Sequence, residues 1–245
     1  VDVAPQFAHI ATFAVYRTPH GESFWWRDDG VSSLPHVSVA IDASDARDLT
    51  PDEVWVSVVH GFNAWSPLLC GGARTQVDFD FEDDAGEVMV RWVGAEEDWS
   101  HGAGVLALTT LEVDLDTGEI IRGTVEVNDA HFAFSLFPTG DERDPVATLV
   151  HEAGHILGLD HSSSPEAVMW PREYVTDRTW GRELQRDDVD GFCDVMAPRA
   201  RSAGLGDAAC GIGRRAQNSL IGLIVFVCCL IFIRVSVIGG SRGRW

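Results

Sequence analysis

A chain of 245 residues with 45% apolar and 23% charged side chains can bury a full core, which excludes a wholly disordered or collagen-like polypeptide. Its length suits one large domain plus an appendage. The net charge of −20 comes from 38 acids against 18 bases, every one of them Arg, and so acidic a chain repels phosphate backbones and argues against nucleic acid as a partner.

The charge is unevenly spread. Residues 1–196 hold 11 Arg and 37 acids (−26), whereas residues 197–245 hold 7 Arg and a single acid, Asp207 (+6). A sign change of that size places a boundary near Ala197. The expected division is an N-terminal segment (1–30), a folded domain (31–197), a Gly/Ala/Arg-rich linker (198–218), an apolar transmembrane or sorting helix (219–238) and an Arg-containing end (239–245). The sequence opens at Val1 without a visible signal peptide, which is expected of a fragment or a processed form.

The first clear strand runs from His36 to Ile41, where Val37, Val39 and Ile41 alternate with His36, Ser38 and Ala40. Thr50-Pro51-Asp52-Glu53 then opens a helix: Thr50 is the N-cap, Pro51 suits the first helical position and Glu53 completes a capping box. Val54, Val58, Phe62 and Trp65 form its buried stripe. Strands follow around Val77–Phe81 and Val88–Val93, and Val105–Val113 and Glu119–Val127 flank a hairpin turn at Asp116-Thr117-Gly118. Two acidic stretches invite calcium, but Asp83 and Met89 stand where an EF-hand loop needs Gly and Glu, and Asp114/Asp116 are turn residues. Calcium is therefore left unassigned. Cys70 and Cys193 lie in the acidic body, and two readings stay open for them: a disulfide made in an oxidising compartment, or two separate buried thiols.

The chemistry is concentrated between Asp144 and His161. Asp144 caps a helix and Pro145 occupies its first turn, after which Val146, Leu149, Val150, Ala153 and Leu157 make an apolar stripe. His151 and His155 are separated by about 40° around the helix axis and lie on the opposite side, offering two imidazoles to a cleft. Gly158 can turn left-handed, end the helix and swing His161 back to close a site of three nitrogens, with a fourth position left for water. Glu152 sits about 100° from His151, placed to face that water as a general base. The full pattern H-E-x-x-H-x-x-G-x-x-H fixes two more uncommon positions than H-E-x-x-H and points to one catalytic zinc.

At these residues the chain resembles the metzincin metallopeptidases, and among them the matrixin family in its bacterial form. Ser162 follows the third His as in matrixins, Val168-Met169-Trp170-Pro171 is similar to the Met-turn, and Leu184–Val189 is similar to the opening of the C-terminal helix. The resemblance covers roughly residues 31–197. It implies an α+β fold: a twisted, mainly parallel mixed sheet with two long helices, the active-site helix carrying HExxH, a C-terminal helix and, beyond them, the hydrophobic segment. It also implies a monomeric zinc endopeptidase that takes a protein or peptide substrate, extended along an edge strand near Val105–Leu111. Peptide bonds would be hydrolysed through a zinc-activated water, with Glu152 as base, His151, His155 and His161 as ligands, and Met169 as the apolar floor. One departure is clear. Leu108 and Asn128 stand where collagenase-type members carry histidines for a second zinc, and neither His101 nor His131 is assigned to one.

Two other functions stay open: a cell-surface binding module in which zinc is structural, and a zinc hydrolase of a non-peptide amide. The protein is expected to be exported, to the cell surface or outside it, and its tail to anchor or sort it to the surface. Leu220–Ile233 is uninterrupted apolar sequence, and counting Ser219–Ile238 reaches the roughly 20 residues a bilayer requires if Arg234 snorkels. Ala209-Cys210-Gly211 before it also suits a sorting signal that is cleaved or lipidated.

Overall fold

The computed structural model describes residues 12–27, 35–82, 85–171, 181–202 and 234–237. In chain order these form β1 (Ala14–Val15), β2 (His36–Asp42), α1 (Pro51–Asn63), β3 (Leu68–Cys70), β4 (Ala73–Thr75), β5 (Asp78–Glu82), β6 (Val88–Val93), β7 (Ala107–Val113), β8 (Ile120–Asn128), α2 (Pro145–Ile156), β9 (Leu159–Asp160), α3 (Arg186–Ser202) and β10 (Arg234–Val237).

The main sheet runs β10-β7-β8-β6-β2-β5. β5, β2, β6 and β8 are mutually parallel, and β7 is antiparallel to β8. The antiparallel pair exists because only six residues join it. Asp114 accepts the amides of Asp116 and Thr117, and Gly118 takes φ 78° to complete the turn. Sheet and helices meet through the alternating residues expected of them: Val37 and Val39 of β2, Val88 and Val90 of β6, and Val125 and Val127 of β8 are all fully buried. The fold is thus the mixed, mainly parallel α+β arrangement that the matrixin-like motif implies.

α1 starts where the sequence says it should. Thr50 accepts the Glu53 amide while the Glu53 carboxylate accepts the Thr50 amide at 2.9 Å, satisfying two donors that a helix N-terminus leaves open. Its buried face carries Val54, Val58 and Phe62, and Phe79 and Phe81 of β5 meet Phe62 edge-on, leaving the acids of β5 outward. α1 then crosses α2 at Gly61. A Cβ there would stand 2.6 Å from that of Leu149, so only Gly permits the two helices to approach this closely. Trp65, just past the helix, donates its indole N–H to the Val150 carbonyl at 2.8 Å and ties the two helices together a second time.

Two features depart from the sequence expectations. The N-terminal segment, for which no element was expected, is ordered over 12–27, and its β1 pairs antiparallel with β9 just beyond α2. The apolar segment 219–238 was expected as one helix, but the only part of it within the described residues, Arg234–Val237, is a strand parallel to β7. An uncovered β7 edge presents a row of unpaired backbone groups, which an extended Val-containing stretch can satisfy. Residues 203–233 and 238–245, on which the rest of the expected helix and the expected sorting signal around Cys210 fall, lie outside the described residues. Among the described residues no helix is long and apolar enough to cross a membrane.

A disulfide joins Cys70 of β3 to Cys193 of α3 across a sequence separation of 123 residues. It fastens the β3–β4 hairpin to the last helix, far along the chain from either partner's neighbours. Closing so long a loop restricts the unfolded chain strongly. The expected outcome is that Cys70→Ser with Cys193→Ser loses about 2–5 kcal/mol in guanidinium unfolding, and that reductant lowers the parent's midpoint to match.

Candidate metal centre

α2 is the element that builds the site. Asp144 accepts the amides of Val146 and Ala147 at 2.9 and 3.2 Å, and Pro145 fills the first turn, so the helix begins with its free donors satisfied. Arg182 clamps the same Asp144 carboxylate at 2.6 Å. The helix ends at Gly158, whose φ of 96° reverses the chain into β9 and returns His161 toward the helix.

The three histidines converge. His151, His155 and His161 each offer a ring nitrogen, and these atoms all lie within 4.8 Å of one another. The Nε2 atoms of His151 and His155 are 3.1 Å apart. On the far side of each ring, Nδ1 of His151 lies 2.7 Å from the Val168 carbonyl and Nδ1 of His155 lies 2.8 Å from the Leu159 carbonyl. A carbonyl oxygen can only accept, so both Nδ1 atoms carry the proton and both Nε2 atoms present lone pairs to each other. The third nitrogen, Nε2 of His161, is buried and finds no hydrogen-bond partner among the described residues.

Protonation does not relieve this crowding. Burial, reinforced by neighbouring His161, pushes His151 down to about 3. Burial, then the His151 and His161 rings, holds His155 well below the usual imidazole range, and burial also lowers His161 against the pull of Asp160. Three neutral imidazoles with lone pairs directed at one small volume fit a divalent cation of zinc's preference. Two nitrogens on one tetrahedral zinc would stand about 3.3 Å apart, close to the 3.1 Å between those of His151 and His155.

Glu152 is fully buried beside them. Its Oε2 accepts the Thr109 hydroxyl of β7 at 2.6 Å, while Oε1 has no partner among the described residues. Burial pushes its carboxyl up to about 7, opposed by the Thr109 hydrogen bond. A carboxyl poised there can both take and return a proton near neutrality.

The base of the site is a turn held from α3. Asp188 accepts the amides of Val168 at 2.9 Å, Met169 at 3.0 Å and Gln185 at 2.8 Å. That carboxylate therefore fixes both the carbonyl that orients His151 and the Met169 side chain. Met169 is buried against α2 at Gly154, where an added Cβ would collide with its sulfur and with Trp65.

Sequence reasoning placed His151, Glu152, His155, His161 and Met169 together, and the structure gathers all five. It differs on exposure: His151 and His155, expected to face a cleft, are 6% and 0% exposed because the β9 loop, the 167–170 turn and Tyr16 close around them. Leu108 packs with Val93, Trp99, Val105 and Ala130, an apolar cluster on the outer side of the β7–β8 hairpin. His101 bonds Glu126 and His131 bonds Asn128, and the three zinc-motif histidines are the only metal-capable cluster among the described residues. Thr109 and Asp188 went unrecognised. The signal for Thr109 was a polar residue at the buried parity of β7, between Ala107 and Leu111; for Asp188 it was an acid doublet opening a helix.

Comparison with known proteins agrees with this geometry. The family model for Matrixin matches residues 26–196, well over half of the chain. Similar proteins include matrix metalloproteinase-9 of Canis lupus familiaris, 51% identical over 49 residues (20% of this chain, 6% of that protein). Matrilysin of Rattus norvegicus is 42% identical over 74 residues (29% and 27%), and matrix metalloproteinase-20 of Homo sapiens 45% identical over 49 residues (20% and 10%). The matched stretch thus spans 27% or less of each of these relatives.

The packing beneath α2 can be tested without any assay of activity. Gly154→Ala must displace Met169 or Trp65, and the metal-free protein is expected to lose about 1–3 kcal/mol in urea unfolding. An unchanged midpoint would show that the turn is not seated against the helix.

Proposed function

Because the chain belongs to the matrixin family, we propose that its folded domain is a zinc-dependent endopeptidase acting on extended protein or peptide segments. The observation that carries the reading is the pairing of two groups with unfilled valence: a cluster of imidazole lone pairs that fits a cation, and a buried carboxylate with one oxygen free beside it.

His151, His155 and His161 would hold a zinc ion, which when bound would supply the positive charge that polarises a scissile carbonyl and acidifies water. Glu152 accepts a proton from the attacking water at Oε1 as the water oxygen bonds to the carbonyl carbon. The same carboxyl returns the proton to the departing amine nitrogen as the C–N bond breaks, so the carboxylate ends unprotonated. Thr109 holds Oε2 through this exchange and keeps Oε1 turned toward the reacting atoms. Met169 and the Asp188-bound turn keep the His151 ring in place.

The substrate would extend along β7. Among the described residues its outer edge carries β10 only along Thr110–Val113, and Thr109 lies beside Glu152. The Cys70–Cys193 bond supports an exported protein, since such bonds persist in oxidising compartments. Attachment to a membrane or surface would fall to the apolar sequence 219–233, because Arg234–Val237 is taken up by the sheet.

Two variants separate this reading from its rivals. Glu152→Gln is expected to keep one zinc per chain and lose at least about 10²-fold in peptide cleavage. Thr109→Val is expected to lower kcat roughly tenfold with KM and zinc content unchanged, since a hydrogen bond to a charged group is lost. Zinc in the parent with no cleavage of a broad peptide library would favour a binding module. Turnover of small amides without internal peptide cleavage would favour the non-peptide hydrolase.

A further inference from the structure

β7 is the edge along which a substrate would extend, and part of that edge already carries a strand of this chain. The phase of the β7–β8 ladder fixes which backbone groups remain for a substrate. The Asn128 amide donates to the Leu106 carbonyl at 2.9 Å, and the register sets Ala107 against Val127 and Leu111 against Gly123. In an antiparallel pair every second residue bonds its partner. Leu106, Leu108 and Thr110 therefore turn toward β8, while Ala107, Thr109 and Leu111 direct their amides and carbonyls to the outer edge. The Gly123 amide bonds the Glu87 carbonyl at 2.9 Å, away from β7, as this phase requires.

β10 fills the third of these outward positions. Arg234, Val235, Ser236 and Val237 stand opposite Thr110, Leu111, Glu112 and Val113, parallel to them. The slanted bonds of a parallel ladder then join the Leu111 carbonyl to the Ser236 amide and the Leu111 amide to the Arg234 carbonyl. Ala107 and Thr109 carry no strand on that edge among the described residues. Thr109 is also the residue whose hydroxyl bonds Glu152 at 2.6 Å. The free stretch of edge thus ends beside the proposed base, and the next outward position is occupied from within the chain.

We infer that β10 is the end wall of the substrate groove. A peptide lying along β7 can pair with Ala107 and Thr109, but its residues on the Leu111 side must leave the sheet, because the same main-chain groups already hold β10. The inference rests on the endopeptidase reading above. It adds a specificity determinant from the C-terminal part of the chain, outside the matched residues 26–196. Extension of a substrate then strengthens binding on one side of the scissile bond only.

The test uses the zinc-loaded full chain and two series of internally quenched peptides built on a core that the parent cleaves. One series is lengthened stepwise at the amino end, the other at the carboxyl end. In the parent, kcat/KM is expected to climb in one series and stay flat in the other. Val235→Pro with Ser236→Pro removes the Ser236 donor and keeps two consecutive residues out of a ladder. On the longest peptides of the flat series this variant is expected to exceed the parent's kcat/KM about tenfold, the order of two net backbone hydrogen bonds. It should match the parent on the bare core and throughout the other series. An equal climb in both parent series would overturn the proposal. So would a zinc-loaded variant that follows the parent on every peptide, or one that gains as much on the bare core as on the longest peptide. Should the variant hold no zinc, the parent's two series decide alone. A parent that holds zinc and cleaves no peptide would instead overturn the endopeptidase reading beneath it.

Discussion

Two imidazole nitrogens with their lone pairs facing each other at 3.1 Å, and a third nitrogen beside them with no partner, are the constraint on which this structure turns. Ordinary packing does not tolerate that arrangement, because a buried acceptor without a donor costs about 1–3 kcal/mol and gains nothing. The surrounding protein nevertheless forces it. Each of the two helical histidines is fixed from behind by a backbone carbonyl, so neither can rotate to find another partner. A cation resolves the conflict.

Everything around α2 serves to hold it still. α1 presses onto it at Gly61, where only hydrogen fits, and Trp65 bonds the middle of it. Met169 fills the space under Gly154, and Asp188 holds the turn that carries Met169. Thr109 reaches from β7 to Glu152. The disulfide adds a restraint on α3, the helix that supplies Asp188. The site is thus braced from four directions: a helix, a sheet strand, a turn and β1, which pairs with β9 beside His161.

The parts legible in the sequence were those with a local cause. The capping box at Thr50, the Asp144-Pro145 start of α2, the left-handed Gly158 and the turn at Gly118 each follow from side chains within a few residues of the place they act. The three histidines were legible because helix geometry and one glycine are enough to bring them together. What the sequence concealed was contact over distance. Asp188 reaches Val168 and Met169 across 20 and 19 positions, Thr109 reaches Glu152 across 43, and Tyr16 reaches His155 across 139. β1 is two residues long and has no periodicity to reveal it. The buried state of His151 and His155 was also hidden, since the residues that cover them come from distant segments. At the C-terminus, apolar content alone suggested a helix through Ile238, whereas Arg234–Val237 lies extended along β7, a choice made by an available sheet edge rather than by hydropathy.

The central claim is that His151, His155 and His161 together hold one zinc ion. X-ray absorption at the zinc edge of the full-length protein tests it most directly. The account predicts one first shell at about 2.0–2.1 Å made of three imidazole nitrogens and one oxygen, with the multiple-scattering pattern of histidine rings. A sulfur shell near 2.3 Å, or a zinc environment built only of oxygen, would contradict it.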